Sequence, residues 1–528
     1  MKRYLLHLLL AINSLLPIIS YPQAWNIGNT SITFSDPDRS NRSIPTQIFY
    51  PANTGGTNVP VADGQFQVIV FGHGFVMVYS AYQFLWETLV PLGYIVALPT
   101  TEGSLSPDHL SLGLDLRFLV NKLKSEGENP SSIFNGHIAD SAAIMGHSMG
   151  GGAAFLAVEN FDGVSAMITF AAAETNPSAI QAAQNISVPT LVFSGSNDCV
   201  TPPPDHQIPM YNNLASPCKT FISITGGGHC YFADYNFNCA FGEAFCSPSP
   251  SISRDQQHNI ILSHLIHYLD FQLKGDQLSW ITFNNLLNNP SGITSNQECN
   301  INLLDLKVFL EGPFNGTGMN TDLTNNPELV EGFPINQPYH SAPWNYPGTE
   351  SITAKPTGLV DWVLIELRDA PDAASANSST IVQRKATLLF QDGTIKGIDQ
   401  QPYLLIDAEI SNNLFVVIRH RNHLPVLSAQ PLTGVDGLFS FDFTSELDNI
   451  YGGENAITQL SGGYLGMVAG DLDANGEINQ DDKDFLWSQN AGSTGYLQSD
   501  TNLDGQADNP DKNEFWLLNK NKTQQFPE

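Results

Sequence analysis

Apolar residues fall into two regimes along the chain. From residue 22 to about 285, short continuous apolar runs alternate with stretches of helical spacing. Residues 67–71, 94–98, 142–145, 165–170, 190–194 and 220–225 read as strands, and 82–92, 110–124, 153–158 and 260–273 as helices. Strands that are apolar throughout, rather than at alternate positions, are buried on both faces. The expected fold class is therefore α/β, a mostly parallel sheet with helices on both faces. In such sheets, sites form beyond the carboxyl ends of the strands. Residues 286–299, rich in Asn, Ser, Gly and Pro, suit a linker. From 300 to 467 the helical periodicity nearly vanishes. Runs at 304–309, 361–367, 385–390 and 414–419, parted by turn residues such as Asp392 and Gly393, predict an all-β, sandwich-like domain.

The run 142–145 leads straight into Gly146-His147-Ser148-Met149-Gly150 and then a helical stretch. Strand, Gly-x-Ser-x-Gly, helix is the context of a nucleophile elbow. The Ser sits in a strained turn, small residues flank it where neighbouring backbone comes close, and the helix start offers free N–H groups to an oxyanion. A Ser nucleophile needs a base, and the base an orienting acid, which in an α/β-hydrolase follow in the order Ser, acid, His. The strand at 190–194 runs into Asp198, and that at 220–225 into Gly226-Gly227-Gly228-His229. Ser148, Asp198 and His229 are the expected catalytic set, with Glu174 the rival acid. His147 and His73 are expected to shape the site, and His258, His264 and His267 to lie on or near a helix away from it. An oxyanion hole needs two N–H donors. Met149 supplies one and Phe75 the other, with Gly74 as the alternative. No cofactor is expected for catalysis.

Composition narrows the partners. The formal net charge is −30, which argues against nucleic acid or an anionic membrane surface. Lys2 and Arg3 precede a short, interrupted apolar stretch, so 1–20 reads as a secretory signal peptide, and no other stretch is apolar enough to span a membrane. The expected location is secreted or cell-surface. Six cysteines in such a chain suggest disulfides, and no Cys-x2-Cys pair favours zinc. Cys199 lies past the end of one strand and Cys218 before the start of a parallel one. About seven residues at roughly 3.3 Å each separate them, beyond the ~7 Å disulfide limit, so these two are not expected to pair.

Residues 468–528 hold 12 Asp or Glu against 4 Lys and contain an internal repeat. Residues 471–482 and 500–511 both place oxygen-bearing side chains at loop positions 1, 3, 5, 9 and 12, with Gly476 or Gly505 at position 6. That spacing wraps a loop round a hard cation. Leu486 and Trp487 after the first loop align with Phe515 and Trp516 after the second.

Two resemblances follow from these residues. Gly146 to Gly152, with Gly74 and Phe75 upstream, resembles the secreted bacterial cutinase and polyester hydrolase group, with its related lipases and platelet-activating-factor acetylhydrolases, over about residues 45–275. It implies an ester hydrolase, with Ser148 as nucleophile, Asp198 as acid, His229 as base, and Met149 and Phe75 as oxyanion donors. Phe75, Met149, Tyr231 and Phe232 on the rim suit an apolar acyl group. Polyester hydrolases carry a Trp in the loop after the strand that follows the elbow. Here that loop reads Ala171-Ala172-Ala173-Glu174-Thr175, and an aromatic insertion at 231–247 is unlike the compact cutinases. The tail resembles a dockerin. That resemblance implies calcium held by Asp471, Asp473, Asn475, Asn479 and Asp482, then by Asp500, Asn502, Asp504, Asp508 and Asp511, with Glu477 and Gln506 giving backbone carbonyls. It also implies a cohesin-like or cell-surface partner. The rival readings are an adhesion or assembly protein with a vestigial hydrolase scaffold, and a peptidase or amidase on the same fold.

Overall fold

The computed structural model describes residues 24–325 and 332–528. The expected signal peptide at 1–20 lies outside the described residues. The chain divides into two units, one of residues up to Ser216 with Phe221–Ile266, the other of Pro217–Thr220 with His267–Glu528.

The strands up to residue 224 are β1 (Asn26–Asp36), β2 (Arg42–Ala52), β3 (Gly56–Thr57), β4 (Phe66–Gly72), β5 (Tyr94–Pro99), β6 (Ile138–His147), β7 (Ala166–Phe170), β8 (Thr190–Gly195) and β9 (Cys218–Ile224), all in the first unit save residues 218–220 of β9. Their order across the sheet is β9-β8-β7-β6-β4-β5-β2-β1-β3. Neighbours from β5 through β4, β6 and β7 to β8 run parallel, while β2 joins β5 antiparallel and β1 folds back on β2. The parallel strands β4, β5, β7 and β8 are almost wholly buried, and β6 is buried from Ala142 to His147, as their unbroken apolar runs require. β1 and β2 were not among the runs singled out above. β1 alternates exposed and buried positions, so its signal is weaker.

The helices are α1 (Gln83–Leu89), α2 (His109–Glu128), α3 (Met149–Val158), α4 (Ala179–Ala182), α5 (Gln207–Asn213), α6 (Phe237–Glu243) and α7 (Arg254–Lys274). α2 starts where Asp108 accepts a bond from the N–H of Ser111 at 2.6 Å, an N-cap that satisfies an otherwise free donor. Its buried residues Leu112, Leu116, Leu119, Val120 and Leu123 form one helical face. That face packs on α3, which is buried on every side. Arg117 on α2 donates to the carbonyls of Ala157 and Glu159, both at 2.6 Å, and so closes the C-terminal end of α3. α3 starts four residues earlier than the apolar spacing indicates, because Gly150, Gly151 and Gly152 hide its first turn from any propensity argument.

The second unit is strand-rich. Its main sheet runs Val426–Leu427, Asn413–Arg419, Leu359–Ala370, Ile381–Phe390, Thr394–Lys396, Asn302–Lys307, Leu438–Asp442, Thr433–Val435, with Leu404–Ile406 paired to Asn302–Lys307. Within 286–299, expected as a linker, the helix Gln277–Asn288 ends and the strand Ile293–Cys299 forms.

All six cysteines are paired, as Cys199–Cys246, Cys230–Cys239 and Cys218–Cys299. Cys199 and Cys218 are not partners, in keeping with their placement at opposite ends of neighbouring strands.

Candidate active site

β6 ends at His147 and α3 begins at Met149, so Ser148 alone makes the turn between them. Its backbone has φ 54° and ψ −120°, a region that L-residues avoid. Two further non-glycine residues near it have positive φ, Val76 and Ala171. Such clustering of strain is typical of sites that the surrounding structure over-determines. The turn is held because its neighbours are small. A Cβ at Gly146 would run into the carbonyl of Gly150, and one at Gly150 into the carbonyl of Gly72. The N–H of Ser148 donates to the carbonyl of Phe170 at 2.9 Å, and its carbonyl accepts from Ala173 at 2.9 Å, which ties the turn to β7 and the loop after it.

Asp198 lies just past β8 and His229 just past β9. The structure brings both to Ser148. His229 Nε2 is 2.9 Å from Ser148 Oγ, and His229 Nδ1 is 2.8 Å from Asp198 Oδ2. All three side chains are buried. The Asp198 carboxylate is fixed by its own loop. Oδ1 accepts from the N–H groups of Val200 and Thr201, both at 2.8 Å. Thr201 Oγ1 sits 2.8 Å from Oδ2 and 3.0 Å from His229 Nδ1, and accepts from Gln207 Nε2 at 3.1 Å. Glu174, the rival acid, is turned elsewhere. Its carboxylate accepts from the N–H of Ile180 at 3.0 Å and so holds the start of α4.

Met149 opens α3, where the N–H has no intrahelical acceptor. The loop after β4 carries Gly74 and Phe75. The N–H of Gly74 is committed, donating to Tyr82 Oη at 2.7 Å. Phe75, the other expected donor, follows it in the same loop. Tyr82 Oη also lies 3.1 Å from His147 Nδ1, and His147 Nε2 lies 3.2 Å from the carbonyl of His229. One proton pattern satisfies the whole chain. Gly74 donates to Tyr82, Tyr82 donates to His147 Nδ1, and His147 Nε2–H donates to His229. Burial, then the nearby His229 ring, keeps the His147 pKa well below the ordinary value, so it stays neutral and serves as a link. His73 bridges the carbonyls of Gly74 and Thr101, each at 2.8 Å. His258, His264 and His267 lie on α7.

Four side chains that hold this arrangement escaped the sequence reading: Thr201, Gln207, Tyr82 and Glu243. The Glu243 carboxylate is buried and accepts from the N–H of Cys230 at 3.0 Å, next to His229. Thr201 stands three residues after Asp198, a spacing at which a side chain and backbone commonly bond, so it was within reach of sequence reasoning. The other three depend on contacts across the fold.

A cavity of about 320 Å3 opens over Ser148 and His229, walled by Phe75, Met77, Val200 and Phe241. A larger groove of about 860 Å3 lies in the second unit, lined among others by Phe333, Ile335, Gln337 and Tyr496.

The two tail loops share a pattern of glycine turns and of N–H bonds to carboxylates, and in the first of them three carboxylates converge. Carboxylate oxygens of Asp471, Asp473 and Asp482 lie within 4.8 Å of one another. Gly476 and Gly505 turn with φ 86° and 88°. Asp471 accepts from the N–H groups of Asn475 and Gly476, and Asp500 from those of Asp504 and Gly505. Asp482 accepts from Leu472, Asp473 and Asn479, and Asp511 from Thr501, Asn502 and Asp508. Trp487 Nε1 donates to the carbonyl of Asp508 and Trp516 Nε1 to that of Asn479, both at 2.8 Å, so each loop is held by the Trp that follows the other. The N–H of Glu477 donates to Asn475 Oδ1 and that of Gln506 to Asp504 Oδ1. The donor set fits a hard cation. Burial and a facing carboxylate push Asp471 up to about 8, and burial does the same to Asp500 against the pull of Arg421. Asp508 Oδ1 is buried with no protein partner.

Residues 39–246 match the family described as "PETase: PET hydrolase-like". Similar curated proteins are Bis(hydroxyethyl) terephthalate hydrolase of Streptomyces coelicolor, 27% identical over 34% of this chain and 54% of its own length, and Cutinase est2 of Thermobifida alba, 27% identical over 33% of this chain and 57% of its own. Cutinase 1 of Thermobifida cellulosilytica is 26% identical over 33% of this chain and 65% of its own. The chain spans about half the length of the first two relatives. Residues 39–246 are thus similar in sequence to PET hydrolase-like proteins and cutinases. Among the described residues no helix is long and apolar enough to cross a membrane.

Replacing Tyr82 with Phe removes the acceptor for Gly74 and the donor for His147 inside the core. Leaving two buried groups unpaired should cost about 1–3 kcal/mol. A lower midpoint in denaturant unfolding checks this, and an unchanged midpoint would contradict it.

Proposed function

We propose that this chain is a secreted serine hydrolase of carboxylic esters. The observation that carries the reading is the unbroken relay Ser148 Oγ, His229 Nε2, His229 Nδ1, Asp198 Oδ2 at 2.9 and 2.8 Å. His229 takes the proton of Ser148 as the oxygen attacks the ester carbonyl. The negative charge that develops on the carbonyl oxygen meets the N–H groups of Met149 and Phe75. Asp198, held by Val200 and Thr201, keeps the ring oriented and stabilises it when charged. His229 then protonates the leaving alcohol, and water releases the acyl group from Ser148 by the same steps in reverse. None of these steps needs a cofactor.

The PET hydrolase-like family match and the cutinase relatives support an ester over a peptide bond. The three disulfides support an oxidising location, secreted or at the cell surface.

We further propose that the loops 471–482 and 500–511 each bind calcium through Asp471, Asp473, Asn475, Asn479, Asp482 and the carbonyl of Glu477, and through Asp500, Asn502, Asp504, Asp508, Asp511 and the carbonyl of Gln506. The ion supplies structure by offsetting the crowded carboxylates. The likeness of the repeat to a dockerin supports a cohesin-like or cell-surface partner.

Turnover of p-nitrophenyl esters from C2 to C12 tests the enzyme reading. Ser148→Ala should lose roughly four to six orders of magnitude, and an active Ser148→Ala variant would overturn the assignment. For calcium, calorimetry of the full chain should show a transition that moves down on adding EDTA and returns with calcium. At a hundredfold excess over Kd the gain is roughly 3 kcal/mol per loop. A thermogram indifferent to both additions would contradict the site.

A further inference from the structure

Between the base loop and α7 the chain builds an arm, residues 230–246, whose anchoring the reaction itself does not explain. Cys230, next to His229, bonds to Cys239, and Cys246 bonds back to Cys199, next to Asp198. Glu243 on α6 accepts from the N–H of Cys230 at 3.0 Å, and Asn238 Nδ2 donates to the carbonyl of Val76 at 3.3 Å. The arm is therefore tied to the acid loop, the base loop and the loop that carries Phe75.

α6 turns Glu243 inward and sets Phe237 and Phe241, one helical turn apart, on its outer side. They remain 70% and 63% exposed, with ring centroids 6.5 Å apart. Apolar rings held in water beside a reacting group mark a binding surface more often than chance exposure. Both rings line the cavity that contains Ser148 and His229, whereas Phe245, 81% exposed, does not. Among the described residues, no Asp, Glu, Lys or Arg side chain lines that cavity. Whatever fills it is joined to the group that Ser148 attacks, and it meets apolar walls.

We propose that Phe237 and Phe241 form the specificity-determining wall of the site and hold a neutral, apolar chain attached to the scissile ester. This rests on the ester hydrolase reading. The arm supplies Phe237, Asn238, Cys239, Phe241 and Gly242 to the lining of that cavity. Its two disulfides fix the rings relative to the nucleophile, so the wall is preorganised and does not need to close on the substrate.

The test compares the parent, Phe237→Ala/Phe241→Ala and Phe245→Ala on two series. One is p-nitrophenyl esters with acyl chains from C2 to C12, the other alkyl acetates from ethyl to octyl followed by pH-stat. The first lengthens the acyl side and the second the alcohol side. In whichever series the parent prefers length, the double variant should lower the long-to-short ratio of kcat/KM roughly tenfold or more. Phe245→Ala removes a ring that lies outside the cavity and packs edge-on against Phe241, so it should move that ratio by less than the double variant does, within about threefold. A double variant that keeps the parent's ratio in both series, or a Phe245→Ala that loses it equally, would overturn the wall. A parent that turns over no ester would overturn the ester reading itself and the wall with it, a result distinct from the other two.

Discussion

The backbone of Ser148, held at φ 54° between β6 and α3, is the constraint on which the rest of the first unit depends. An L-residue enters that region at a cost of order 1–3 kcal/mol and remains only where its surroundings leave no alternative. Here the surroundings are backbone. Gly146 meets the carbonyl of Gly150, Gly150 meets that of Gly72, and Gly152 meets that of Ala173. The glycines thus let α3 press against the ends of β4 and β6 and the loop after β7. That packing sets the Ser148 side chain beyond the carboxyl end of β6, 2.9 Å from His229 Nε2. Burial of α3 on all sides supplies the apolar contact that offsets the strain.

Around the turn, buried polar groups bond in closed sets. Asp198 is saturated by Val200, Thr201 and His229, and Thr201 is in turn held by Gln207. Gly74, Tyr82, His147 and the carbonyl of His229 form a second chain behind the reacting atoms. A buried polar group without a partner is costly, so each such set rigidifies the loops it joins. The second unit uses the same device with charge. Burial pushes the Asp361 carboxyl up, but Arg421 and His420 more than offset it and hold it at about 2. Tyr496 Oη donates to the same carboxylate at 2.8 Å, and Arg421 also donates to the carbonyl of Leu497. The start of the second tail loop is thereby tied to the strand Leu359–Ala370, and Leu503 lies in the same apolar cluster as that strand.

Much of this was legible in the sequence where the signal is local. The continuous apolar runs gave the parallel strands to within a residue or two at most ends. The elbow, and the order of Asp198 and His229 beyond the ends of two strands, follow from short stretches of chain. The tail repeat is legible because each loop builds itself from twelve consecutive residues. Signals spread over distance were not legible. Tyr82 meets His147 across 65 residues, and no spacing rule predicts such a meeting. Glu243 turns inward on a short helix whose aromatic residues dominate its pattern. The start of α3 was masked by three glycines whose smallness the site needs. β1 and β2 lie at the antiparallel side of the sheet, where mixed exposure dilutes the apolar run.

The proposed function rests on activation of Ser148 by His229 within the folded chain. The most direct measurement is reaction of the full chain with a fluorophosphonate, followed by mass spectrometry of the labelled peptide and by the labelling rate in His229→Ala. One adduct per chain should form, on Ser148, and slowly or not at all when His229 is replaced. A folded chain that takes no label, or one labelled at Ser148 equally fast without His229, would contradict it.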